Sequence, residues 1–149
     1  MTIKRIMLWA GLVVVIGFVA IQLVPYGRDH TNPPVQIEPN WDSAATRALA
    51  AAACDDCHSN HTQWPWYSNI APLSWLVQHD VEEGRRALNY SEVGGRGEGG
   101  GDSAEKVQSG EMPPFYYQIT HPDARLSDAQ RAALIRGLQA TFGGGGGGG

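Results

Sequence analysis

From Ile6 to Val24 the chain carries no charged side chain, and nearly every position is apolar. About nineteen residues at ~1.5 Å of helical rise each cover the ~30 Å hydrocarbon core of a bilayer, so the run predicts a transmembrane helix. Lys4 and Arg5 precede it, Pro25 closes it, and Arg28 and Asp29 follow. Basic residues ahead of the span predict a cytoplasmic N-terminus and an exported remainder, with Trp9 and Tyr26 near the two interfaces. A cleaved signal peptide has similar flanks. Phe18-Val19-Ala20 puts a bulky ring where a cleavage site needs a small residue, so residues 1–26 are expected to stay as an anchor.

Beyond the anchor the pattern changes. Pro33, Pro34 and Pro39 lie among polar residues, which predicts an extended linker over residues 27–41. Residues 42–142 then alternate short apolar stripes with breaks, as a helical domain does. Asp42 or Ser43 caps a helix that runs through Leu49 to Ala53. A second helix opens near Pro72 and sets Leu73, Leu76, Val77, Val81 and Leu88 at helical spacing. A third is expected from Ser103 to Ser109. Met112-Pro113-Pro114 cannot lie inside a helix and predicts a stiff extended loop. The last helix starts at Ser127, which forms a capping box with Gln130 and carries Leu134, Ile135 and Leu138. Glycine dominates from Gly94 to Gly101 and predicts a mobile loop. Residues 143–149 are all glycine and read as a tag, low-complexity tail or placeholder. No strand pattern of any length occurs, so the domain is expected to be all-α.

Length and charge narrow the function. Of 149 residues, roughly a hundred remain for the domain, enough for a small core that a buried cofactor would help to stabilise. The net charge of −4 and the lack of a clustered basic face exclude a nucleic-acid binder. Two cysteines, three positions apart, are too few and too local for a disulfide framework.

Those cysteines belong to Cys54-Asp55-Asp56-Cys57-His58. Covalent haem attachment needs two thiols spaced to reach two vinyl groups, and an adjacent imidazole to ligate the iron; this segment supplies all three. A Cys₂His₂ zinc site with His61 would crowd four ligands into eight residues. A thioredoxin-like dithiol would call for strands that the pattern lacks. A simple local disulfide would leave His58 without a role. One covalent haem c is therefore expected on Cys54 and Cys57, with His58 as the proximal ligand. Met112, on its proline-stiffened loop, is the leading distal candidate, with His79 and His121 as bis-histidine alternatives. Packing in the core is the commoner fate of a methionine. Trp64, Trp66, Tyr67, Trp75, Phe115, Tyr116 and Tyr117 are candidates to line the pocket of so large and flat a group.

Several stretches in order, Cys54 to Asn60, Trp64-Pro-Trp-Tyr67, Ile70 to Trp75, His79, Glu83-Gly-Arg85, Leu88 to Glu92, Met112-Pro-Pro114, His121-Pro122 and Leu126-Ser127, resemble the bacterial cytochrome c-like haem-binding domain family. The likeness runs from about Trp41 to Phe142 and departs after Glu92, where the family has an aromatic residue and no glycine run. It implies a class I cytochrome c-like helical fold, with Cys54 and Cys57 as thioether residues and His58 and Met112 as axial ligands. The expected role is a single-electron carrier rather than an enzyme. It would be held to a bilayer by residues 6–24, with its haem domain on the periplasmic side of a bacterial inner membrane. Expected partners are a membrane redox complex or other cytochromes. A haem enzyme or sensor with an open sixth position, and a haem-stabilised structural subunit, are the rival roles.

Overall fold

The computed structural model describes residues 2–93 and 100–143. Most of the expected glycine loop, residues 94–99, lies outside the described residues, as does the tail from 144 on. The described helices are α1 (Ile3–Ile21), α2 (Ala44–Ala53), α3 (Asp55–His58), α4 (Leu73–Ala87), α5 (Ser103–Ser109), α6 (Phe115–Thr120) and α7 (Asp128–Phe142), with 3-10 turns at Trp66–Asn69 and Pro122–Ala124. Among the described residues there is no strand, only one isolated bridge between Ile37 and Glu92. The protein is all-α, with an apolar helix at its N-terminus.

Contacts divide the chain into two compact units, one formed by the chain up to Thr31 with Trp64–Asp80, the other by Asn32–Gln63 with the chain from Val81 onward. In the first, α1 has 19 residues, none buried, and is long and apolar enough to cross a membrane. Just past its end, the Gln22 side chain makes a two-way bond with the backbone of Ala71: Nε2 donates to the carbonyl at 2.9 Å and Oε1 accepts from the amide at 3.0 Å. The His30 ring stacks on Trp64, with centroids 4.5 Å apart and planes at 15°.

In the second unit, Ser43 caps α2 by accepting from the Thr46 amide at 3.1 Å. At α7, Ser127 Oγ accepts from the Gln130 amide while Gln130 Oε1 accepts from that of Ser127, the expected capping box. The two helices cross where Gly137 meets Thr46: a Cβ at 137 would collide with the Thr46 hydroxyl. This close approach buries Ala50, Leu134 and Leu138 completely or nearly so. Each large aliphatic side chain so withdrawn contributes about 1.5–3 kcal/mol. Val107 from α5 and Tyr90 complete the cluster, and Trp41 stands edge-on to both Tyr90 and Phe142. Residues 32–41 form no helix, as their prolines favour, and are bonded along the unit. The Gln36 amide donates to the Ser91 carbonyl at 2.9 Å, and the Val93 amide to that of Ile37 at 3.0 Å.

Candidate functional site

Cys54 ends α2 and opens α3, a single helical turn that holds Asp55 to His58. The turn forms because the amides of Cys57 and His58 both donate to the Cys54 carbonyl, at 3.2 and 2.9 Å. Cys57 and His58 are thus fixed one turn from Cys54, and the two cysteines are not joined by a disulfide. Helix α4 passes so close to this turn that a Cβ at Gly84 would run into the Cys57 carbonyl.

That approach determines the state of His58. Its Nδ1 lies 2.9 Å from the Gly84 carbonyl oxygen and 3.1 Å from that of Leu88. Carbonyl oxygens only accept, so Nδ1 carries the proton and Nε2 keeps its lone pair, which is the metal-ligating tautomer. Burial pushes the imidazole pKa below its ordinary value, against the opposing pull of those two hydrogen bonds, and keeps the ring neutral.

His58 lines a cavity of about 480 Å³ with Ala53, Cys54, Ala87, Leu88, Tyr90, Val107, Met112 and Leu138, while Asp102, Ser103, Lys106 and Glu111 add its polar wall. Apolar walls with a few polar groups, at that volume, match the ~300–1,000 Å³ pockets that take cofactors. The cavity therefore brings together Cys54, His58 and Met112, three of the residues expected to hold haem. Met112 follows α5, and its amide donates to the Lys106 carbonyl at 3.1 Å. The loop behind it is tied by Gln118 Nε2, which donates to the Pro113 carbonyl at 2.8 Å. Burial and the neighbouring Asp55 carboxylate push the Cys54 thiol up to about 12, in part against its hydrogen bond with Tyr90. A thiol held in its protonated form is a poor match for a reactive dithiol, whose chemistry needs the thiolate.

The other candidates have surroundings of their own. His61 Nε2 is 3.5 Å from Glu38 Oε1. Among the described residues, no group of three or more His, Cys, Asp or Glu side chains is placed to hold a metal ion. His121 stacks on Tyr117 at 3.9 Å and its Nδ1 lies 3.0 Å from the Tyr117 carbonyl; the Tyr117 hydroxyl in turn donates to Asp56 Oδ2 at 2.7 Å. His79 is exposed on α4. Trp64, Trp66, Tyr67 and Trp75 belong to the first unit. Tyr116, on α6, is 39 % exposed with its ring edge-on to Phe115, and is not part of the cavity lining.

The sequence matches the haem-binding domain family over residues 16–140, from within α1 to within α7. The chain belongs to that family. No curated protein and no solved structure matches it. For a haem-binding domain, the donor set fits the group: a neutral imidazole with a committed tautomer, a thioether and the Cys54 thiol line one largely apolar cavity, while Cys57 sits on the adjoining turn outside that lining. Gly84 and Tyr90 are site residues that pattern reading did not single out, and the pattern shows Leu88 only as an apolar helix position. The only signal for Gly84 and Tyr90 was their place within stretches that resemble the family.

Proposed function

We propose that the haem-binding domain holds one haem c, joined by thioether bonds to Cys54 and Cys57 and ligated by His58 and Met112, and that it passes single electrons. The observation that carries this reading is the His58 ring, whose Nδ1 is committed to two backbone carbonyls while the residue lines the cavity shared with Cys54 and Met112. The bound haem would supply an iron that changes valence by one electron. The protein's own part is to keep His58 neutral and correctly turned, to exclude water with Leu88, Val107 and Leu138, and to present the soft Met112 sulfur. Histidine–methionine ligation favours the reduced metal and raises the potential relative to two histidines.

Anchored by α1, the carrier would work at the periplasmic face of a bacterial inner membrane. A membrane redox complex or another cytochrome would be its partner. The basic pair ahead of the apolar helix supports this orientation. A redox titration of the purified full chain tests the role: the reading predicts one reversible one-electron transition with the absorption bands of low-spin haem c. A high-spin spectrum that shifts on adding peroxide or carbon monoxide would instead favour an open sixth position.

A further inference from the structure

The end of α1 and the segment Trp64–His79 form a surface that differs from the rest of the chain. The segment contains no Asp, Glu, Lys or Arg. It nevertheless leaves Trp66 77 % exposed, with Ile70, Leu73 and Leu76 also open to solvent. Leu73 and Leu76, three apart, share one face of α4. Uncovered apolar side chains on an uncharged segment call for a partner.

The identity of that partner follows from Gln22. Its side chain is bonded both ways to the Ala71 backbone, directly beyond the last turn of the apolar helix. Gln22 is also where the helix backbone stops being self-satisfied: the Arg28 guanidinium donates to its carbonyl oxygen. If α1 spans the bilayer, Gln22 marks the depth at which hydrocarbon gives way to headgroups, and Ala71 is held at that depth. Ile70 and Leu73 flank Ala71 in the chain. Trp66, an apolar ring with one polar N–H, is the residue type that concentrates at this boundary.

We infer that Trp66, Ile70, Leu73 and Leu76 form a membrane-interface platform. They dip into the headgroup–acyl boundary of the same leaflet from which α1 emerges. The inference rests on α1 being the anchor proposed above. It makes the attachment two-point, a spanning helix and an interfacial segment locked to its end by Gln22, rather than a helix with a free tether.

Depth-resolved crosslinking to lipid tests it on the full chain reconstituted in phosphatidylethanolamine–phosphatidylglycerol vesicles. A benzophenone side chain is placed in turn at Val13, Trp66, Leu73 and, as an exposed control on α5, Glu105. The expected result is lipid adducts at Val13, Trp66 and Leu73, with at least fivefold less at Glu105. Adducts at Val13 but not at Trp66 or Leu73 would overturn the platform and leave the anchor standing. No adduct at Val13 would remove the anchor itself, and the platform with it. Equal adducts at all four positions would also overturn it, because the surface would then have no preferred depth.

Discussion

The Nδ1 atom of His58 lies 2.9 Å from the carbonyl oxygen of Gly84, and residue 84 can come that close only without a side chain. One helix position therefore serves two needs. Its carbonyl turns the histidine, and its missing Cβ lets α4 lie against the Cys57 backbone. Gly84→Ala should favour α4 by local propensity, by up to ~1 kcal/mol. It should still destabilise the fold by about 1–3 kcal/mol, because the methyl group overpacks against a backbone carbonyl. A denaturant melt, with the yield of covalently attached haem measured alongside, checks both consequences. A variant as stable and as fully loaded as the parent would show that the approach is not needed.

Met112 is expected to be separable from the covalent site. Met112→Ala should leave haem attached to Cys54 and Cys57, lower the reduction potential and convert the spectrum towards high spin. Truncating a half-buried methionine should cost about 2 kcal/mol, the low end for such deletions. Visible spectroscopy and potentiometry on the variant provide the check. An unchanged spectrum and potential would remove Met112 from the iron.

Much of this arrangement could be read from local chemistry. Ser43 announces α2, the Ser127–Gln130 box announces α7, Ser103–Ser109 is α5 residue for residue, and Met112-Pro113-Pro114 stays out of helix. Each signal lies within a few residues of the feature it specifies. Three features escaped because their causes are distant or masked. Leu88 continues the apolar spacing of α4, yet the helix stops at Ala87, and the Leu88 carbonyl turns to His58, thirty residues away in sequence. Helix α6 follows two prolines and has only six residues, too few for a periodic apolar stripe to show. Tyr90 is 2 % exposed beside Cys54, a pairing that only tertiary packing creates.

The crossing of α2 and α7 makes a stability prediction independent of the cofactor. Gly137→Ala removes a residue that costs an isolated helix ~1 kcal/mol relative to alanine. Because its Cβ would strike the Thr46 hydroxyl, the net effect should instead be a loss of about 1–3 kcal/mol. The double variant Gly137→Ala with Thr46→Ala, which removes the Thr46 hydroxyl and methyl, should recover part of it. Thermal melts of the three proteins decide the sign.

Burial lowers the pKa of His58 in the folded chain, which fixes the direction of a pH effect on protein produced without haem. The unfolded chain takes up a proton near the ordinary value of ~6.5, and the folded chain does so only at lower pH. Stability from this group is therefore complete above about 6.5 and falls as pH drops below it, by at most ~1.4 kcal/mol per pH unit. Denaturant midpoints at pH 7.5, 6.0 and 5.0 should decline, and His58→Gln should flatten the decline. Equal slopes in both proteins would assign the effect to another group.

The central claim, a haem stitched to Cys54 and Cys57, is tested most directly by the intact mass of the full chain under denaturing conditions. The account predicts the polypeptide mass plus one haem, a gain that persists in acid and organic solvent and disappears in the double variant Cys54→Ser/Cys57→Ser. A bare polypeptide mass from cells able to attach haem, or two sulfurs oxidised to each other, would contradict it.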